Sequence, residues 1–365
     1  MTTTNQTALE TARLAHHAGR LAEAEATYRE ILATEPGHAE ALHLLGVIAG
    51  QTGRHREAAE FIRQSVALRP DDAEAHKNLG IALKAIGQVD DAVAACRRAI
   101  AIKPDYAEAH KTLGGLLHGK GQFDQAIAAY RHAIVFRPDY AEAHCNLGAA
   151  LKDAAQFDEA IAACQQAIAL NARLPEAHNN LGNALYAKGE PDMAIAAYRS
   201  ALALAPHFAS AWNNLGMALK THAQPAEAIA AFQKAVELKP DYANALANLG
   251  HALKEEGRIA EAIIAYQKAV ALRPDSPDLR HVLAALSGEH SPSTTPASYV
   301  RNLFDPYAGE FDEHLVTQLH YRAPEQLLEA ILTLAPGRQF DILDLGCGTG
   351  LCGQGTCWVW ISRQQ

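Results

Sequence analysis

Along most of this chain, small and apolar residues recur at offsets of three and four, and polar turns interrupt the pattern at short intervals. That periodicity predicts amphipathic helices, each burying one stripe of its surface. The helices come in pairs: Ala73 to Gly87 predicts a first helix and Asp90 to Ile102 a second. Seven Leu-Gly dipeptides, from Leu45-Gly46 and Leu79-Gly80 through to Leu249-Gly250, recur at a fixed spacing of 34 residues, so the pair is a repeated unit. A repeat of that length cannot bury its apolar face alone. Stacking of neighbours supplies the core, which makes the chain a helical solenoid whose work is binding.

Other positions keep the same period. Ala58, Ala92, Ala126, Ala160, Ala194, Ala228 and Ala262, with the glycine after each leucine, let backbones approach closely. Tyr130, Tyr198, Phe232 and Tyr266 are larger and fill the gap that remains. Pro36, Pro70, Pro104, Pro138, Pro206, Pro240 and Pro274 close the second helices, because proline lacks an amide donor and restricts the residue before it.

Period, helix pairing and these Leu-Gly, Ala and Pro positions resemble the tetratricopeptide repeat family. The resemblance implies an all-α fold, a right-handed superhelical solenoid of paired antiparallel helices. With Gly46 as anchor, eight repeats occupy residues 5–276, starting at 5, 39, 73, 107, 141, 175, 209 and 243. The first has Ala12 in the glycine place, and the fifth has Asn171-Ala172 where proline falls elsewhere. Residues 277–287 are expected to form a capping helix over the last repeat.

Asn78, Asn146, Asn180, Asn214 and Asn248 each stand immediately before Leu-Gly, with Thr112 interrupting the row. An amide both donates and accepts, as the backbone of an extended peptide does. In similar repeats the first helices line the concave surface, and the peptide-binding half of O-linked N-acetylglucosamine transferases carries an asparagine ladder there. The resemblance therefore implies that these residues hold a peptide along the groove. Lys84, Lys152, Lys220 and Lys254, six residues after the asparagine position, are candidate contacts for acidic side chains or a terminal carboxylate. His76, His110, His144 and His178 sit in separate repeats and do not converge, so packing and hydrogen bonding is their expected role.

Beyond the repeats, 288–297 is polar and proline-containing, as linkers are, and a second module occupies 298–352. Its strand, Phe340 to Leu345, runs into Gly346-Cys347-Gly348-Thr349-Gly350, a turn that permits close backbone approach to a cofactor. Asp341 to Gly350 resembles the first motif of class I S-adenosylmethionine-dependent methyltransferases. Leu303-Phe304-Asp305-Pro306-Tyr307-Ala308 and Tyr321-Arg322-Ala323-Pro324 resemble the entry region of methyltransferases fused to such repeats. The resemblance implies a Rossmann-like α/β segment in which Asp344, Gly346, Gly348 and Gly350 surround the cofactor. Only fifteen residues follow Gly350, and 353–365 is an atypical tail. The expectation is an incomplete, truncated domain that binds no cofactor tightly.

Composition narrows the partners. The 365 residues are 49% hydrophobic but only 6% aromatic, so the core is built mainly of Ala and Leu. A formal charge of −9 with no basic tract argues against nucleic acid. The first 25 residues hold no apolar signal core and no later stretch is long enough to span a membrane, so a cytoplasmic protein is expected. The six cysteines form no paired framework, and no metal site is expected. The resulting reading is a scaffold for a protein or extended peptide. One alternative is a methyltransferase whose repeats select a protein or carrier-bound substrate, and another is self-association through the repeats.

Overall fold

The computed structural model describes residues 3–287. Seventeen helices form among them and no strand. They pair in order: α1 (Thr3–His17) with α2 (Leu21–Thr34), α3 (Ala39–Gln51) with α4 (His55–Leu68), and α5 (Ala73–Ala85) with α6 (Val89–Ile102). The series continues with α7 (Ala107–Gly119) and α8 (Phe123–Phe136), α9 (Ala141–Asp153) and α10 (Phe157–Leu170), and α11 (Pro175–Lys188) and α12 (Pro191–Leu204). Then come α13 (Ala209–Thr221), α14 (Pro225–Leu238), α15 (Ala243–Glu255), α16 (Ile259–Leu272) and α17 (Pro277–Ser287). None of these is long and apolar enough to cross a membrane.

The turn inside each pair needs one residue in the left-handed region. Gly87 takes it at φ 79°, which lets Gln88 N–H reach back to the Leu83 carbonyl at 2.9 Å. Ala155 and Ala223 occupy that place in two repeats, at φ 57° and 54°. A side chain there costs about 1–2 kcal/mol. The turns close nonetheless, with Gln156 N–H on the Leu151 carbonyl and Gln224 N–H on that of Leu219.

Between pairs, the second helices stop two residues short of each proline, as at Leu68 before Pro70. The fifth repeat lacks that proline yet ends its second helix at the same register, Leu170. Asn171 replaces the missing restraint: its Oδ1 accepts from Arg173 N–H at 3.1 Å, a side-chain turn of the kind asparagine favours.

The chain divides into two compact bodies, Met1–Asn248 and one that begins at Leu249. In the first, each second helix packs on its own partner, and those from α2 to α12 also pack on the first helix of the next pair. The repeated alanines are buried throughout. Opposite each stands the glycine of Leu-Gly: a Cβ on Gly182 would lie 2.5 Å from Tyr198 Cε1, and one on Gly216 2.6 Å from Phe232 Cε1. Cys96 and Cys164 take the same place against Gly80 and Gly148. The small glycine and the bulky residue facing it are therefore one packing unit, as close-packed interiors require. In the second body Gly250 faces Tyr266 in the same way, and α17 packs on α16. The linker, the anticipated α/β segment with Asp344, Gly346, Gly348 and Gly350, and the tail lie outside the described residues.

Candidate functional site

Within the first body, consecutive first helices touch: α3 with α5, α5 with α7, α7 with α9, α9 with α11, and α11 with α13. Consecutive second helices make no comparable contact among the described residues. Helices on the inside of a bend approach more closely than those outside it, so the first helices form the inner wall. The asparagines before Leu-Gly lie on these helices, half-buried.

Their amides do not simply face outward. Asn180 Nδ2 donates to the Cys145 carbonyl at 3.3 Å, Asn214 Nδ2 to Asn179 Oδ1 at 3.1 Å, and Asn248 Nδ2 to Asn213 Oδ1 at 2.9 Å. Asn78 Nδ2 meets His43 Nε2 at 2.9 Å, with the ring nitrogen accepting. Each bond joins an asparagine to the residue 35 positions earlier, on the preceding first helix. Burial holds the His43 imidazole below its usual pKa, which keeps it neutral and able to accept. Asn183 adds to the network, accepting from Asn214 Nδ2 at 3.0 Å and from the Tyr198 hydroxyl at 2.9 Å. One edge of each amide thus ties neighbouring repeats together. Among the described residues, the Oδ1 atoms of Asn78, Asn180 and Asn248 accept no hydrogen bond.

The zipper is interrupted at two consecutive joints. Where His43, Cys145, Asn179 and Asn213 accept, the third and fourth repeats carry Lys77 and Lys111, whose side chains have no acceptor. Thr112 turns back onto its own helix, donating to the Glu108 carbonyl at 2.8 Å, and the Asn146 side chain makes no hydrogen bond among the described residues. The lysine ammonium groups lie over aromatic rings instead, Lys77 Nζ 5.7 Å from the centre of Tyr106 and Lys111 Nζ 4.9 Å from that of Tyr140. These two lysines were not visible as candidates in the sequence. The available signal was the break in the asparagine row at Thr112, with lysine preceding it and the asparagine of the repeat before.

The other lysine series scatters. Lys84 is exposed, and Lys152 is engaged by Asp153, which also receives His118 Nε2 at 2.7 Å. Lys220 is half-buried, and Lys254 belongs to the second body. The histidines bind neighbouring turns rather than each other: the Nε2 atoms of His76, His110, His144 and His178 lie 2.9–3.1 Å from the carbonyls of Pro70, Pro104, Pro138 and Ala172. Trp212 repeats the contact through Nε1 to the Pro206 carbonyl at 2.8 Å. Among the described residues no cluster of His, Cys, Asp and Glu is arranged to hold a metal ion. Cys96, Cys145 and Cys164 are buried free thiols, and burial raises the pKa of Cys145 to about 11.

At the amino-terminal end of the inner wall lies a polar cavity of about 820 Å³, bordered by His16, Glu40, His43, Arg69, Glu74 and Lys77 among others. Arg13 pairs with Glu40, and Arg69 with Asp72 at 3.2 Å. Burial pushes the Lys77 pKa down, against the opposing influence of Glu74 and Glu108. The arrangement suits recognition of polar chain segments.

Sequence models described as TPR repeat match residues 114–154 and 155–189. Models described as tetratricopeptide repeat match 175–208, and also 9–73, 43–107 and 213–277. No curated protein matches the chain. Among solved structures, that of the APC/C hetero-tetramer Cut9-Hcn1 superposes with a TM-score of 0.59 at 20% identity, over 76% of this chain and 55% of that one. The chain therefore spans just over half the length of that neighbour. The Pseudomonas aeruginosa pilF structure gives 0.51 at 20% identity, over 60% and 99%. YrrB, titled a TPR protein with an unusual peptide-binding site, gives 0.42 at 23% identity over 54% and 99%. For the Cut9-Hcn1 and pilF structures, at 20% identity, the likeness is one of fold.

Proposed function

Because this chain belongs to the tetratricopeptide repeat family across the matched residues, we propose that it is a scaffold holding an extended peptide or protein segment against its first helices. The observation that supports this reading is the row of asparagine amides. The inter-repeat hydrogen bonds fix their orientation before any ligand arrives, so little side-chain freedom is lost on binding. The acceptor edges left open on Asn78, Asn180 and Asn248 suit the N–H groups of an extended chain, and the unbonded Asn146 offers both donor and acceptor. Recognition of this kind is noncovalent.

Replacing Asn146, Asn180 and Asn214 together by Ala is expected to weaken a bound peptide partner about tenfold while leaving the helical circular dichroism unchanged, since each lost hydrogen bond contributes about 0.5–1.5 kcal/mol. The check is a titration of the folded triple variant beside the parent. Unchanged affinity places the ligand elsewhere.

A second reading rests on the stretch Asp341 to Gly350 and its resemblance to the first methyltransferase motif. In it the repeats select a protein or carrier-bound methyl acceptor, and Asp344, Gly346, Gly348 and Gly350 hold S-adenosylmethionine. Calorimetric titration of this chain with S-adenosylmethionine separates the two: the scaffold reading expects no saturable heat at micromolar cofactor, and saturable binding would favour the enzyme.

A further inference from the structure

The residues that accept the zipper's asparagine donors differ in their capacity to take up a proton. Asn179 Oδ1, Asn213 Oδ1 and the Cys145 carbonyl do not titrate, and burial pushes the Cys145 thiol up to about 11. His43 is the exception, because protonation turns an imidazole nitrogen from acceptor to donor. Its ring is 6% exposed, and Nε2 lies 2.9 Å from Asn78 Nδ2 across the joint of α3 with α5. With Nε2 accepting, the neutral ring carries its proton on Nδ1.

The charges around the ring come from several elements. The cavity beside it is bordered by Arg13, His16 and His17 of α1, Glu40 of α3, Arg69 and Asp72 of the turn before α5, and Glu74 and Lys77 of α5. Among the described residues, α2 and α4 add no titratable group to that border. Arg13 pairs with Glu40 and Arg69 with Asp72, whose other oxygen accepts from Ala75 N–H at 3.0 Å. His16 Nε2 lies 3.0 Å from Gln51 Oε1. Asp72 and Glu74 favour a charged His43, Lys77 and Arg69 oppose it, and burial outweighs the acids, so the ring is neutral at neutral pH.

We propose that the joint of α3 with α5 is a proton-operated amide switch, in which protonation of His43 turns the Asn78 amide over and reverses the group it presents to the groove. Hydrogen-bond geometry carries it. Once Nε2 bears a proton, two donors face each other at 2.9 Å and neither has an acceptor. A half-turn about the last torsion of Asn78, which is broad and roughly two-fold, brings Oδ1 onto Nε2–H in a charge-assisted bond and moves neither helix. The groove then meets a donor where it met an acceptor. That consequence rests on the scaffold reading above, whereas the turnover of the amide does not. Folding favours the neutral ring, so the stability of this joint is complete above the unfolded imidazole pKa of about 6.5 and declines as the pH falls below it.

The test follows the Asn78 side-chain NH2 group in the full chain by isotope-edited NMR, with its signal assigned by loss in Asn78→Ala. Between about pH 7.5 and about pH 5, a span bracketing the ordinary imidazole range, the NH2 protons are expected to lose their nuclear Overhauser contact with the His43 ring, at a midpoint that coincides with titration of that ring. His43→Asn installs the non-titrating acceptor found at Asn179 and Asn213, and is expected to hold the NH2 signal still over the same range. The urea midpoint of the parent should also fall further in acid than that of His43→Asn. An NH2 contact retained while His43 titrates overturns the switch, as does a ring that stays neutral throughout. A movement of the signal that persists in His43→Asn assigns the response to another group and overturns the role of His43. None of these outcomes touches the groove itself, which the triple variant of Asn146, Asn180 and Asn214 tests at neutral pH without disturbing this joint.

Discussion

Phe232→Ala is expected to destabilise the seventh repeat by about 3–5 kcal/mol, the usual cost of truncating a buried aromatic. Phe232 is completely buried and lies against Gly216, whose hypothetical Cβ would meet Cε1, Cδ1 and Cζ of the ring at 2.6–2.9 Å. Gly216→Ala alone overpacks the same contact and is expected to cost about 1–3 kcal/mol, because the ring has no room to retreat in a close-packed interior. The two changes should compensate in part: with the ring gone, the new methyl group enters the space it vacated. The double variant is thus expected to be more stable than the sum of the singles predicts, by about 1–2 kcal/mol. Since solenoid stability is roughly a sum of repeat and neighbour terms, the losses concentrate in α13 and α14, where amide hydrogen exchange reads them directly. Strictly additive effects would show that Gly216 is not made necessary by the ring.

That glycine was legible from the sequence only as a recurring small residue, and its partner only as a recurring large one. Their pairing follows once the helices are built, because residues 16 positions apart, such as 216 and 232, meet only when the turn between them folds the second helix back on the first. The helix pairs themselves were plainly written, since the 34-residue period, the apolar offsets and the prolines all report local geometry. The fifth repeat shows a local rule substituting for another: without proline, Asn171 closes the turn through its own side chain. The inner wall was harder to read. A period of 34 places equivalent residues in line, whereas the hydrogen bonds run between residues 35 apart, one position out of register. The asparagine row therefore looked like a set of free ligand groups, and half of its hydrogen-bonding capacity proves to be structural. The same offset hid Lys77 and Lys111, whose meaning comes from what the neighbouring helix lacks. Lys84, Lys152, Lys220 and Lys254 share a sequence position without sharing surroundings, because side-chain partners such as Asp153 vary from repeat to repeat.

Asn213 measures how far that structural half of the row matters. It is buried, its Oδ1 accepts from Asn248 Nδ2 at 2.9 Å, and its Nδ2 lies 3.4 Å from Asn214 Oδ1, so one side chain links two members of the ladder. Asn213→Ala removes the acceptor and leaves a half-buried amide on Asn248 unpaired, at an expected cost of about 1–3 kcal/mol. Replacing both partners, Asn213→Leu with Asn248→Leu, should cost much less than the single change, since matched apolar groups leave nothing unsatisfied. The double variant also removes an open acceptor from the wall, so peptide affinity should fall even where stability recovers. That split between stability and binding is the signature of a residue pair that both holds repeats in register and aims a ligand group. If Asn213→Ala shifts the urea midpoint by less than the equivalent of about 0.5 kcal/mol, water serves the Asn248 amide as well as its neighbour does. The asparagines would then be surface filler, and the orientation they are credited with here would have to come from packing alone.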